Sequence, residues 1–495
     1  METHWLTWIL ATPLLGLAVL LFIPGSARGL IRIWANIAML ASLLVTLPLW
    51  KYFDRDAAGY QFVERVPWIP SLGAQYLLGV DGISLLLVLL TAVMGWLATL
   101  ASWSEIEDRA KEFYAMLLLL QTGMMGVFLS LDLLLFFVFW EVVLVPMYFL
   151  IGVWGGERRM YAAIKFFLYT LAGSVVLLLG IIALYWQGVQ QLPQPTFELT
   201  ELLKIQMAPE TQRWIFWALF LGFAVKVPMF PFHTWLPDAH TEAPTAGSVL
   251  LAGVLLKMGT YGFLRFSLPL LPQASSDVWV VQGLAALSII AILYGALVSL
   301  VQQDWKRLVA YSSVSHMGFC TLGIFSLQAN GLAGSVLQQV NHGISTGLLF
   351  LLFGMIYQRR HTRRIADFGG LASVMPNYAA VFAVAMFSSA GLPLLNGFIG
   401  EFTILQGAFQ ANPAWAAFAV FGIVLGAAYL LWLYQRTMLG EVHIEANLKL
   451  PDLTAREWVT VLPLLVAVVA IGLYPKPYFD VLEQPVTEIL GRLGR

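Results

Sequence analysis

The feature that most limits what this chain can become is a succession of long apolar runs, separated by short polar stretches, from residue 5 to residue 474. A helix crossing the hydrocarbon core of a bilayer needs about 20 mostly apolar residues. Fourteen candidate spans follow, at 5–23, 31–50, 80–102, 112–131, 133–153, 160–186, 214–231, 245–268, 278–301, 308–326, 332–357, 376–408, 414–436 and 457–474. They are numbered 1 to 14 below. With 59% of the 495 residues hydrophobic and 11% charged, the chain has too little polar surface for a water-facing shell. The predicted fold class is all-α, a polytopic membrane protein. The 18 Trp and 17 Tyr suit headgroup level, where aromatic rings gather.

Several function classes fall away at once. A net charge of -1 gives no reason to expect nucleic acid, and lipids are the expected surroundings. The single cysteine, Cys320, excludes disulfides within the chain and any thiolate-held cluster. There is no glycine-rich dinucleotide loop, no phosphate-binding lysine loop and no nucleophile elbow. The chain is therefore expected to carry no cofactor and no metal of its own. His233, Asp238, His240 and Glu242 gather around Pro237, but their spacing is not that of a helical ligand pair, so loop structure or proton uptake is expected there. Trp5–Ile23 follows no basic stretch and precedes no small-residue cleavage pattern, and reads as a retained span.

Two spans are abnormal. Span 7 contains Pro228, Pro231 and Pro237, and span 12 contains Gly391, Pro393, Asn396 and Gly397. Proline deletes a backbone donor, and lipid tolerates such a break only where protein or a hydrated cavity satisfies the freed groups. The broken spans lie five apart, so a second five-span unit starts from the opposite side of the membrane. That is the inverted-repeat arrangement, in which paired broken helices point to the transport path. The expected organisation is residues 1–111 as spans 1–3, 112–268 as the first repeat (spans 4–8), 278–436 as the second (spans 9–13), and 437–495 as the last span and tail.

Loops after odd-numbered spans hold fifteen Lys and Arg, among them Arg158, Arg159, Arg359, Arg360, Arg363 and Arg364, whereas the other loops and the termini hold eight. The bias puts the odd loops in the cytoplasm and both termini on the opposite side. Asp54–Gln75 is expected to be a long loop. Phe197–Met207, preceded by Thr196 as a possible cap, reads as a short helix, either on the membrane surface or as a plain connector.

Ionisable groups inside apolar runs carry the functional signal, because each costs about 2.5–3.5 kcal/mol at mid-membrane on insertion scales. Glu141 has no basic residue on its own span, so a partner from another span is expected; Lys226 directly precedes the first break. Lys257 lies within span 8, Glu401 follows the second break, and Lys165 lies near the start of span 6. His316 and His342 sit in spans 10 and 11, where a neutral imidazole can relay a proton or simply satisfy a helix interface. For the carboxylates and lysines the bland reading is a packing pair, which stabilises weakly because desolvation offsets attraction.

The segments Phe139–Tyr148, Lys226–His240, Glu242–Ser248 and Ala310–Gly318 resemble the antiporter-like membrane subunits of respiratory complex I, with similarity strongest from about Phe113 to Phe402. Among these the chain is most similar to the M type, the equivalent of the fourth mitochondrially encoded membrane subunit. The resemblance implies fourteen helices with two inverted five-helix units. It also implies Glu141 as the helix-5 glutamate, Lys226 as the lysine paired with it, Lys257 as the central lysine and Glu401 as the helix-12 acid of the M type. Lys165, His316 and His342 would join the proton path. Partners would be L- and N-type neighbours, with FMN and iron–sulfur clusters in other subunits and quinone as acceptor. The expected site is a bacterial plasma membrane. A subunit of a multi-subunit sodium/proton antiporter, one of a membrane-bound hydrogenase, and an inert scaffold remain alternatives at this stage.

Overall fold

A computed structural model describes residues 4–495. Twelve helices are long and apolar enough to cross a membrane, among them Trp5–Phe22, Gly82–Ala101, Ala110–Leu129, Arg159–Gln191, Val278–Leu300, Trp305–Phe325 and Ala329–Arg360. The chain is a mostly helical polytopic membrane protein. Spans 7 and 12 take the form of interrupted pairs, Pro209–Lys226 with Trp235–Glu242, and Pro376–Ser389 with Asn396–Ala411. Pro228 and Pro231 fall in the first gap, while Pro237 sits in the first turn of the second half-helix, where a missing N–H costs little. In the second gap Gly391 takes φ +78°, a conformation that costs glycine nothing.

Two further spans are irregular where uniform helices were expected. Span 5 is divided into Leu133–Val142 and Leu144–Trp154. Pro146 explains the division, since its ring opposes the carbonyl of Val142 one turn earlier. Span 8 contains two π-helical segments, Leu251–Leu255 and Phe263–Ser267, on either side of Lys257. A widened turn spaces its hydrogen bonds at i→i+5 and is a common mark of functional sites.

Span 11, Ala329–Arg360, is a continuous helix of 32 residues. It packs against spans 3, 8, 10 and 14 and both halves of span 12, so it runs through the middle of the second half of the chain. Its residues from Gly331 to Ile356 are almost all buried.

The 54–75 region is not a loop. It forms most of an antiparallel hairpin, Gln61–Ile69 with Ala74–Val80, with Glu64 opposite Leu78 and Val66 opposite Tyr76. Glu64 turns back to accept the N–H groups of Leu6 at 2.6 Å and Thr7 at 3.1 Å, satisfying donors at the start of span 1. In the 197–207 segment only Leu199–Leu202 is helical. Leu199 and Leu202 are buried against the protein, so the segment is a packed connector rather than a helix lying on the bilayer. Thr196 accepts the N–H of Glu198, which itself precedes the turn. The tail forms two short helices, Lys476–Asp480 and Glu483–Arg492, the second packed on spans 3 and 11 and the end of span 8.

Candidate proton-transfer site

Four of the seven residues singled out from the sequence meet in one buried line. Lys257 is fully buried, and its ammonium donates to the carbonyl of Ala252, in the π-helical segment, and to His342 Nδ1 at 2.6 Å. His342 and His316 stand with ring centroids 5.7 Å apart. His316 Nδ1 lies 2.7 Å from Glu401 Oε1, and Gln338 Nε2 donates to the same oxygen at 3.1 Å. Glu401 is 3% exposed and lies in the first turns after the second break.

The hydrogen-bond directions are informative. Nδ1 of His342 accepts from the ammonium, so in the neutral ring Nε2 carries the hydrogen. A carboxylate accepts only, so Nδ1 of His316 donates and its Nε2 is the acceptor in the neutral ring. Both Nε2 atoms are buried without a protein partner. Both rings line one small cavity of about 10 Å³, together with Asn341, Ser345 and Ser388, which is about the space one water needs. Donor thus meets acceptor at both ends of the line, and the cavity between the rings separates the two Nε2 atoms.

Local structure holds this line in place. Asn341 donates to the carbonyl of Asn396 at 2.7 Å, and Ser388 donates to Asn396 Oδ1 at 2.5 Å, so the second break is tied to span 11 by side chains. Thr260 donates to Gln339 at 2.7 Å, fixing span 8 to span 11 one turn from Lys257. Gly259 lies against the carbonyl of Phe223 and Val227; without a Cβ it lets spans 7 and 8 approach beside Lys226 and Lys257.

Glu141 and Lys226 differ from expectation, for no ion pair joins them among the described residues. Lys226, 2% exposed at the C-terminus of its half-helix, holds its ammonium over the Trp140 ring at 5.2 Å and near Phe166 at 5.9 Å. Those contacts and the helix C-terminus both favour a cation. Successive helix residues point about 100° apart, so with Trp140 turned to Lys226 its neighbour Glu141 turns aside. Glu141 is half-buried, its Oε1 has no partner, and Val138 and Val145 one turn to either side are exposed.

Lys165 stands apart from the line. It pairs with Asp238 at 2.7 Å, with Arg307 3.8 Å from the same carboxylate. His233 stacks on Phe230, and His240 stacks on Phe350 at 4.7 Å with both ring nitrogens unpartnered. Sequence reasoning missed Lys306, counted as a loop cation; it is 6% exposed and reaches the carbonyl of Ala243. It also missed Arg265, an ionisable group inside an apolar run whose signal was the same as that of Lys257. In the loop after span 3, Glu105 accepts the N–H of Thr245 at 2.9 Å, and burial pushes its carboxyl above the usual range despite that bond.

Comparisons with known proteins agree with this architecture. Residues 130–426 match the family described as NADH:quinone oxidoreductase/Mrp antiporter, transmembrane region. NADH-ubiquinone oxidoreductase chain 4 of Arabidopsis thaliana is 44% identical over 486 residues, covering 98% of this chain and 97% of the relative. NADH-quinone oxidoreductase subunit M of Rickettsia conorii is 43% identical over 482 residues, covering 96% of each. The chain belongs to this family, as an antiporter-like membrane subunit of the M type. A chain of the structure of respiratory complex I from Thermus thermophilus with bound NADH superposes with a TM-score of 0.90 at 32% identity, over 99% of this chain and 100% of that one. The M-type assignment rests on identity that extends through the whole length, beyond the matched core to both ends.

Proposed function

We propose that this chain is a proton-translocating membrane subunit of NADH:quinone oxidoreductase and that its protons travel along the buried Lys/His/Glu line. The observation that carries the reading is the buried succession of Lys257 on His342, His342 beside His316 with ring centroids 5.7 Å apart, and His316 on Glu401. A proton from Lys257 enters His342 at Nδ1 as another leaves from Nε2. It passes to His316 Nε2, and His316 releases one from Nδ1 to Glu401. Each imidazole then turns over about its side-chain bonds to return to its starting tautomer before the next transfer. No proton is created or lost.

Lys226 would load Lys257 from the other side, across the contact made at Gly259. Glu141, half-exposed beyond Trp140, would act on Lys226 through space rather than as a fixed partner. A carboxylate free of a bound cation is able to answer to a charge on a neighbouring subunit, and L- and N-type subunits are the neighbours proposed. Lys165 and Asp238 would lie at the uptake side of the first break.

Redox chemistry falls to other subunits. The residues here do not fit a flavin or an iron–sulfur cluster: Cys320 is alone and buried, and the described residues gather no group of three His, Cys, Asp or Glu able to hold a metal. FMN and iron–sulfur clusters are assigned to partners, with quinone reduction as the energy source. Each proton moved works against about 2.3 kcal/mol per 100 mV. The membrane is assigned as a bacterial plasma membrane; loop charge favours odd loops cytoplasmic and both termini outside, and the two broken helices favour a division at 112–268 and 278–436 into two inverted units, each with its broken helix in fourth place.

The test is NADH-driven acidification of membrane vesicles carrying Lys257→Ala or Glu401→Gln, with assembly checked by native gel. The expected outcome is an assembled complex that has lost most of its pumping. Normal pumping by both variants would leave the chain a scaffold.

A further inference from the structure

A cavity of about 700 Å³ opens on the side that carries the hairpin. Tyr60 and Leu77 of the hairpin region, Thr200, Leu264 and Ile489 of the C-terminal helix contribute to its walls. Its floor is a buried cluster that no step of the proposed proton line uses. Arg265 there is 6% exposed, and Asp81 is 5% exposed. Arg265 Nη2 donates to Asp81 Oδ1 at 2.5 Å and to Ser84 Oγ at 3.0 Å, Nη1 donates to the Tyr60 hydroxyl at 2.9 Å, and Nε donates to the Tyr261 hydroxyl at 3.1 Å. The Tyr261 hydroxyl in turn donates to the carbonyl of Phe128 at 3.2 Å. Arg265 follows Lys257 by eight residues on span 8, about 12 Å along the helix.

We infer that the Arg265–Asp81 pair is a proton-tight plug between this cavity and Lys257. The inference rests on reading Lys257 as a proton carrier. A carrier open to both faces at once would short-circuit the gradient it helps to build, and the cavity brings water within two turns of Lys257. Three features close the way. A guanidinium does not release its proton in proteins, so no hydrogen-bond chain can pass one through it. The Tyr261 hydrogen is aimed at a backbone carbonyl, which accepts a bond but hands nothing on. Asp81 is the acceptor that meets the cavity; of its inner neighbours Arg265 and the Ser84 N–H only donate, and the Ser84 hydroxyl leads on only to the Tyr261 hydroxyl at 3.4 Å, whose hydrogen ends on the Phe128 carbonyl. A fixed cation in a pore also opposes the approach of hydronium.

The experiment uses the whole complex in membrane vesicles, with no substrate present, and follows the passive decay of an imposed pH gradient. Arg265→Met with Asp81→Asn removes both charges together and leaves no unpaired carboxylate. Because the two charges are opposite and adjacent, their joint removal leaves the field at Lys257 nearly unchanged and alters only the closure. The gradient is therefore expected to decay faster than in wild type, and adding Lys257→Ala is expected to restore retention. A double variant that holds its gradient like wild type overturns the plug, as does a leak that Lys257→Ala leaves unchanged. Thiol mapping decides the matter if the double variant does not assemble. With Cys320→Ala as background, a membrane-impermeant thiol reagent applied from the hairpin face is expected to label Leu264→Cys, which lines the cavity, and to spare Thr260→Cys beyond the pair. Equal labelling of the two overturns the plug. The carrier reading fails on a different measurement, normal pumping under turnover by Lys257→Ala.

Discussion

Replacing His342 tests the proton line at its tightest joint. The Lys257 ammonium has two acceptors, the Ala252 carbonyl and His342 Nδ1 at 2.6 Å. His342→Leu removes the second within a site from which bulk water is shut out. A hydrogen bond to a charged group contributes about 1.5–3 kcal/mol. If that bond is made along the transfer coordinate, its loss slows the step about 10- to 150-fold. The assay is proton pumping per quinone reduced in vesicles, read as dye quenching beside NADH oxidation. His342→Gln separates holding from relaying, because a side-chain amide can accept the bond from Lys257 but cannot pass a proton on. Both variants are expected to lose pumping. Pumping by His342→Gln at the wild-type ratio would reduce His342 to a hydrogen-bonding prop. Wild-type pumping by His342→Leu would refute the line altogether.

Glu141→Gln and Lys226→Ala are each expected to abolish most pumping in an assembled complex; normal pumping in both would remove them from the path. Arg359 and Glu457 form a two-point pair at 2.7 Å that joins span 11 to span 14, with side chains 10% and 7% exposed. Arg359→Ala should cost about 3–5 kcal/mol, as for other broken buried pairs, and lower the denaturation temperature of the detergent-solubilised complex; an unchanged transition would contradict this. Burial raises the Glu105 carboxyl above its usual range despite the Thr245 N–H. The folded state therefore binds that proton more tightly than the unfolded chain. Stability is greatest below the unfolded value of about 4.3 and falls as pH climbs from there through the raised value. Glu105→Gln should flatten that fall, measured as exchange protection of the Thr245 amide between acid and neutral pH; an unchanged slope would exclude Glu105 as its source.

What the sequence made legible was mostly a matter of cost. A break in a membrane helix or an ion in hydrocarbon is expensive, so Pro228, Gly391, Lys257 and Glu401 stand out without any structure. The position of Pro146 also forecasts a division of span 5, but the signal was lost inside an unbroken apolar run. The hairpin escaped because Phe62–Val66 is too short and mixed to stand out beside apolar runs of about 20 residues. The π-helical turns around Lys257 carry no sequence mark; they lie where span 8 packs against its neighbours. Pairing was the least legible property. The sequence shows that Glu141 needs a counterpart, but Trp140 decides that Lys226 faces an aromatic ring instead. His316 and His342 were visible as candidates, whereas the order in which their nitrogens alternate depends on rotamers alone.

The unbroken span 11 has a mechanical consequence. Gln338 and His342 lie one turn apart on the same side of a 32-residue rod, one touching Glu401 and the other touching Lys257. A stiff rod carries a push along its axis from end to end with little loss. Any slide or roll large enough to part His342 from Lys257 must therefore drag Gln338 across Glu401 in the same stroke. Loading at one end and discharge at the other are geared to a single shaft.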